Sequence, residues 1–248
     1  MDSSKQDWLA QALSDAGLAP SAAARAAAER LLVFAGMLSD ANQKFNLIGP
    51  CGLDDLLQRH ILDCALGYFF LQRLGLARGR AVDVGSGAGL PGVVWAILGG
   101  FDRVACCESN ANKARFIQEA AAKLGASHLE VDPRRAEIAA HDLEWRESFD
   151  VVTARALAPL NALMELTAPL AQVGGVCLYF KGRSVEEEIA AAAAATARFQ
   201  LTLAVRERYG ELQNAYGGEW LLYHKNGPVP QSYPRRPGIP AKRPLKNN

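Results

Sequence analysis

Apolar positions recur at two different periods along the chain, and the change comes near residue 80. Before it the spacing is helical. Asp7–Ala16 forms a short run that stops at Gly17, and an Ala-rich stretch from Ser21, with Pro20 just before it, continues to about Asp40. After the turn formers of KFNLIGPCG, residues Leu56, Leu57, Ile61, Leu62 and Ala65 draw one apolar stripe along a helix over 54–74. Beyond residue 80, short apolar runs alternate with helical stretches. Ala81–Val84, Arg103–Cys107, Leu129–Val131, Phe149–Thr153 and Val176–Lys181 predict strands. Leu90–Leu98, Ala111–Leu124, Arg134–Ala140, Leu160–Leu170 and Val185–Phe199 predict helices. This β-α alternation calls for a parallel sheet with helices on both faces. Two closely spaced runs, Leu201–Glu207 and Trp220–His224, with YGGE between them, predict an antiparallel pair at the sheet edge. The expectation is an α/β, Rossmann-like, mostly parallel seven-stranded sheet over 76–225, behind an N-terminal helical region at 1–75 and ahead of a tail at 226–248.

Composition narrows the class. Half of the 248 residues are apolar and 21% are charged, which suffices for a real core. A net charge of +1 excludes a protein that holds nucleic acid by bulk charge alone. Five cysteines show no CxxC spacing and no interleaving with the four histidines, so neither a disulfide framework nor a metal site is expected. No apolar run approaches the roughly 18–20 residues of a membrane span, and MDSSKQD is unlike a signal peptide. A soluble, cytoplasmic monomer is expected. The charge is unevenly placed, however. The tail NGPVPQSYPRRPGIPAKRPLKNN holds six of the twelve prolines and the cations Arg235, Arg236, Lys242, Arg243 and Lys246, without an acid. Proline at this density predicts an extended or disordered segment. It reads either as a solvated end or as an arm on phosphates, with Tyr233 available to stack.

The chemistry concentrates in AVDVGSGAGLPG, Ala81 to Gly92, which sets a strand, a glycine-rich turn and a helix start in order. Gly85, Gly87 and Gly89 allow a sharp bend and close approach to a ligand, and the helix start offers free N–H groups. Pro91 suits a first helical turn. Glu108, at the end of the next predicted strand, stands where an acid takes ribose hydroxyls in nucleotide-binding α/β folds. Gly87-x-Gly89-x-x-Gly92 also matches the dinucleotide fingerprint, which leaves a nicotinamide-dependent oxidoreductase open. Asp83 argues against a diphosphate and for a ligand with an amino group and a sulfonium, S-adenosylmethionine. Ser86 and Leu90 complete the loop. The segment TARALAPLN after the fourth strand faces the acceptor, with Arg155 nearest the strand end. It holds no Asn/Asp-Pro-Pro-aromatic motif, no cysteine and no obvious general base. Those absences suit an acceptor with its own lone pair, such as a purine ring nitrogen, where positioning alone supplies roughly 7–11 kcal/mol. A non-catalytic RNA-binding or ribosome-assembly protein retaining the pocket is the third reading.

Several residues have plainer readings. Arg59 and Asp63, four apart on a helix, read either as a surface ion pair or, with His60, as the mouth of the donor pocket beside Asn46. Cys106, Cys107, Trp95 and Trp145 read as core. Arg134 and Arg135 can be a solvated helix start.

The segments KFNLIG (44–49), RHILDC (59–64), DVGSGAGLPG (83–92), ESNANKARFI (108–117), RRAE (134–137), TARALAPL (153–160), FKG (180–182) and YPRRPGIPAKRPL (233–245) together resemble the bacterial glucose-inhibited division protein B family. That resemblance covers most of the chain. It implies a class I S-adenosylmethionine-dependent methyltransferase acting on N7 of a guanine in the 530 loop of 16S ribosomal RNA, family position 527. It implies donor contacts from Asp83, Gly85, Ser86, Gly87, Gly89, Leu90 and Glu108, with Ala136 and Glu137 beside the adenine. Arg155 would lie between donor and RNA, contacting both as the positioning catalytic residue, and Arg135, Arg59, Arg235, Arg236 and Lys242 would meet the RNA. One departure stands out: many members carry an Arg-His pair entering the last strand, where this chain has Glu219-Trp220. The expectation there is a lost basic contact, replaced by the tail or by Trp220 stacking.

Overall fold

The computed structural model describes residues 3–19, 21–182, 185–209 and 218–247, and its strands form one seven-stranded sheet. Strands β1 (Arg80–Val84), β2 (Arg103–Cys107), β3 (Leu129–Asp132), β4 (Phe149–Arg155) and β5 (Ala171–Lys181) pair in parallel. Between β6 (Leu201–Tyr209) and β5 lies β7 (Gly218–Lys225), antiparallel to both, so the spatial order is β3-β2-β1-β4-β5-β7-β6. The expected antiparallel edge pair is present; part of its YGGE connection lies outside the described residues. The order turns back between β1 and β4, and in open α/β sheets ligands bind at that switch point, beyond the carboxyl ends of the strands.

Strand alternation divides the core in two. Ala81, Val104, Val151 and Val176 sit side by side on one face, and Val82, Ala105, Val152 and Cys177 on the other. The first face is covered by α1 (Ser3–Asp15), α2 (Ser21–Phe45), α3 (Leu53–Leu56), a π-helical stretch (Leu57–Leu62), α4 (Asp63–Arg73), α5 (Gly92–Leu98) and α6 (Ala111–Lys123). The N-terminal helices therefore share one apolar core with the sheet. The second face carries α7 (Ala136–Ala139), α8 (Leu160–Thr167), α9 (Glu186–Ala191) and α10 (Ala193–Arg198). The two inner tryptophans and the paired cysteines are core, as their apolar neighbours predict: Trp95 and Cys106 are fully buried, and Cys107 and Trp145 nearly so.

Three differences from the sequence reading have physical causes. The helix expected over 54–74 contains the π stretch, whose wider turn shifts the residues around the helix axis. Arg59 pairs with Asp55, four residues before it, at 3.0 Å, while Asp63 turns inward to Arg155. The helix expected over 134–140 shortens to one turn, because Asp132 accepts from the Arg134 N–H at 2.8 Å and holds that stretch extended. The tail, expected to be a loose extended segment, is packed against the second face. Its prolines remove N–H donors and leave carbonyls to satisfy. The body supplies donors for them: Arg146 to Val229 and Tyr233, His141 to Pro234, and Asn161 to Leu245. Val229 and Pro240 are buried, and Tyr233 sets its ring edge-on to Phe199. A one-turn helix, α11 (Ile239–Lys242), forms with proline in its first turn, where the missing N–H costs nothing.

Candidate active site

A cavity of about 430 Å³ opens at the carboxyl ends of β1, β2 and β4. The strand order arranges its walls: Ala136 and Glu137 beyond β3 and β2 at one end, the glycine loop in the middle, and Arg155, Ala156, Leu157 and His60 at the β4 end.

The middle is a backbone cradle. Gly85 leaves β1 with φ +69 and donates its N–H to the Cys107 carbonyl at 2.8 Å, which closes the turn onto the neighbouring strand. That positive φ favours glycine, and a β-carbon there would lie 2.5 Å from the end of the Leu157 side chain. Glu108 is held at the end of β2 by two N–H donors, Gly87 to Oε2 at 2.8 Å and Asn110 to Oε1 at 2.7 Å. Each carboxylate oxygen keeps a second lone-pair direction, the arrangement needed to accept from two neighbouring ribose hydroxyls. Gly85, Ser86, Gly87, Leu90 and Glu108 all line the cavity. Asp83 and Gly89 are not among the lining residues. Asp83 is buried beneath the loop, where Oδ2 accepts from the Gly92 N–H at 2.9 Å and the backbone carbonyl accepts from Ser86 Oγ at 2.7 Å. Burial pushes its carboxyl up to about 7. Asp83 thus braces the loop and the start of α5 from beneath the cavity, with Oδ1 left unpaired.

At the far end, Glu137 is 5% exposed and accepts the Gly238 N–H of the tail at 2.7 Å. Burial works to raise its carboxyl, but that N–H and Arg135 hold it below the usual carboxylate range. Arg134 is tied to Asp132 and Asp142, whereas Arg135 is half-exposed and points along the cavity rim, 3.4 Å from Glu137.

The β4 end is built from charged side chains. Arg155 Nη1 donates to Asp63 Oδ2 at 2.5 Å and to the Arg59 carbonyl at 3.3 Å, and Nη2 lies 2.6 Å from His60 Nδ1. Burial raises the Asp63 carboxyl, against the pull of Arg155. Burial first, and then the Arg155 charge, lowers His60 to about 4, so its ring is neutral at pH 7. The guanidinium faces the cavity but is fastened from behind. Ala156 adopts φ +54, and Leu157 folds over Gly85.

Other expected RNA contacts are distributed differently. Arg235 forms a two-bond pair with the fully buried Glu165, at 2.8 and 2.6 Å, and is a tail anchor rather than a free cation. Arg59 stands at the surface beside Asp55, outside the cavity lining. Arg236 and Lys242 are exposed. Glu219 is fully buried and neutralised by Arg206 and Arg208, so it presents no bare acid to a phosphate. Trp220 is buried too, stacked on Tyr209 at 4.3 Å and near Phe70, which removes it as a stacking platform for RNA. Sequence reasoning did not single out Lys113, Leu47, Ile48 or Leu157, which line the cavity. Lys113 lies inside ESNANKARFI, where only the acid drew notice.

The likeness to known proteins decides among the three readings. The family model for GidB, rRNA small subunit methyltransferase G, matches residues 27–210. The chain is 38% identical over 226 residues to the ribosomal RNA small subunit methyltransferase G of Symbiobacterium thermophilum, covering 88% of this chain and 89% of that one. The protein of the same description from Moorella thermoacetica is 34% identical over 222 residues, 86% and 88% of the two chains. The chain belongs to the GidB family. Among solved structures, a ribosomal protein L11 methylase from Lactobacillus delbrueckii subsp. bulgaricus superposes with TM-score 0.51 at 18% identity, over 67% of this chain and 78% of that one. Geranyl diphosphate C-methyltransferase from Streptomyces coelicolor gives 0.51 at 16%, over 66% and 79%. These likenesses show the class I methyltransferase fold. Membership in GidB makes the chain an S-adenosylmethionine-dependent methyltransferase of small-subunit ribosomal RNA, and the oxidoreductase reading falls. The glycine cradle and the doubly held Glu108 fit that donor. Among the described residues no cluster of three metal-ligating side chains occurs, and no helix is long and apolar enough to cross a membrane.

Proposed function

We propose that this chain methylates N7 of a guanine in the 530 loop of 16S ribosomal RNA, family position 527, working in the cytoplasm as a monomer on the small subunit or its assembly intermediate. Family membership supports the substrate, and one observation at the site carries the acceptor atom. At the β4 end of the cavity no group stands ready to take a proton: Asp63 is occupied by Arg155, and His60 Nδ1 already accepts from Arg155. Guanine N7 needs no proton removed, because it attacks through a free lone pair.

S-adenosylmethionine supplies an electrophilic methyl on a cationic sulfur. The chain's own residues do the rest by positioning. Gly85, Ser86, Gly87 and Leu90 admit the donor against bare backbone, Glu108 takes its ribose hydroxyls, and Ala136 and Glu137 bound its adenine. Leu157 lies over Gly85 at the edge of the cavity. Arg155 holds the β4 wall in register. Arg135, Arg236 and Lys242 meet phosphates; binding therefore weakens with salt, and Arg236→Ala lowers the slope of log K against log salt by about one.

The direct test is methyl transfer from labelled S-adenosylmethionine to small subunits lacking the modification, followed by borohydride and aniline cleavage, which cuts at N7-methylguanine. A single cut in the 530 loop is the expected result. Incorporation without that cut removes N7 of this guanine as the acceptor. Donor binding without incorporation removes the 530 loop of the assembled subunit as the substrate.

A further inference from the structure

His60 sits on the acceptor side of the cavity, and its chemistry is fixed by its neighbour. A guanidinium has five N–H donors and no acceptor. Arg155 Nη2 lies 2.6 Å from His60 Nδ1, so Nδ1 is the accepting nitrogen of that bond. A neutral imidazole with Nδ1 accepting carries its one proton on Nε2. Arg155 is in turn fixed by Asp63, so the tautomer is set by a buried chain, Asp63 to Arg155 to His60. Among the described residues no hydrogen bond ends on His60 Nε2, and the ring lines the cavity together with Arg155, Ala156 and Leu157. The result is an oriented, uncharged N–H donor beside the place where the acceptor base must lie.

We propose that His60 reads the acceptor base, its Nε2–H donating to the 6-carbonyl oxygen of the guanine whose N7 receives the methyl. The inference rests on the N7 reading above. Guanine offers two adjacent acceptors on that edge, N7 and O6, whereas adenine offers N7 and an amino donor. A donor that cannot change tautomer welcomes the first and collides with the second. Its neutrality matters as well. The methylated ring becomes cationic, and an uncharged donor does not oppose that charge while an imidazolium would. Low basicity, from burial and the nearby guanidinium, keeps His60 in this form throughout the neutral range.

The test uses small subunits reconstituted with guanine or with 2,6-diaminopurine at the target; the latter keeps N7 and the 2-amino group but replaces O6 with an amino donor. The full-length wild type is expected to prefer guanine by about 100-fold or more in kcat/KM, because a site built around a hydrogen bond rejects the mismatched analogue strongly. His60→Ala is expected to lose roughly 10- to 100-fold on guanine, and most of the preference, with donor affinity unchanged. His60→Gln, which keeps an N–H donor, restores part of both. Independently, nitrogen-15 spectra of histidine-labelled wild type should show His60 protonated at Nε2 and bare at Nδ1 at neutral pH. A proton on Nδ1 overturns the proposal. So does a folded His60→Ala that keeps the rate and the preference while the wild type yields N7-methylguanine. If the wild type yields none, the N7 reading itself is overturned, and this inference with it.

Discussion

All the loop and acid residues of the donor cradle come from one continuous stretch, Ala81 to Glu108, and its contacts are mostly backbone N–H and carbonyl groups. The acceptor side is assembled from His60 and Asp63 together with Arg155, which comes 95 and 92 residues after them and meets them through side chains. The difference follows from what each must recognise. A small donor with fixed hydroxyls and an amino acid end is held by a local turn with no side chain in the way. An RNA base must be met from outside, so the recognising group is brought in on a separate helix and fastened from behind. A turn of glycines tolerates loss of charge but not added atoms; a buried ionic chain tolerates neither loss of a partner nor of its geometry.

The strongest way to break this contrast is at Asp63. Asp63→Ala leaves the Arg155 guanidinium buried without its carboxylate, which costs about 3–5 kcal/mol. For a chain of this size that lowers the melting temperature by roughly 8–15 °C, read by calorimetry. Methyl transfer is expected to disappear with it. A variant that melts like the wild type would show that the chain from Asp63 to Arg155 is not under load.

Added atoms test the other side. A β-carbon at Gly92 would lie 2.4 Å from Cys106 Sγ and 3.2 Å from the Asp83 side chain, both in the sheet beneath. Gly92→Ala is therefore expected to cost about 1–3 kcal/mol by overpacking and to weaken donor binding, measured by calorimetric titration. Transfer at saturating donor should survive, because the β4 wall is untouched.

A change of pH sharpens the comparison from both sides. Asp83 titrates near 7 in the folded chain, above its ordinary 3.8, so the folded state holds its proton where the unfolded state has lost it. That term stabilises below about pH 4 and is lost as pH rises towards 7. His60 titrates near 4, below its ordinary 6.5, so the unfolded state binds the extra proton and the fold is penalised as pH falls from 6.5 to 4. The two sides of the cavity thus lean in opposite directions. Relative to wild type, Asp83→Asn should gain stability progressively from pH 4 to 7. His60→Gln should be relatively favoured at pH 4, and that advantage should vanish by pH 6.5. Parallel melting curves for both variants across this range would contradict the burial of these two groups.

The same contrast explains what could be read from sequence. The donor cradle was legible because its residues are adjacent, and strand, glycines and acid occur in the order in which they touch the ligand. The sheet was legible because apolar runs and helical periods alternate cleanly from Ala81 to Lys181. Arg155 could be located by its place after β4, but its partners could not: nothing local to RHILDC shows that a π turn swings Asp63 inward and Arg59 outward. The place of Asp83 could not be read for a related reason, since alternation along β1 sets its side chain under the loop, beneath the cavity. The tail misled because proline content speaks of backbone hydrogen bonds within a segment and is silent about carbonyls satisfied from outside. Glu219, an acid where the family resemblance implies a cation, was legible as a departure but not as a buried partner of Arg206 and Arg208.

The central claim is that donor binding and acceptor alignment are carried by separate parts of one cavity. The most direct measurement compares Glu108→Gln with Arg155→Lys, recording the donor dissociation constant by titration and the single-turnover methyl-transfer rate at saturating donor on the same small subunits. Glu108→Gln should raise the dissociation constant about tenfold or more, through a lost charged hydrogen bond, and leave the saturated rate within a few-fold. Arg155→Lys should bind donor normally and lose about 100-fold in rate, because a lysine cannot span Asp63 and His60 together. Variants that change both quantities in the same proportion would contradict the account.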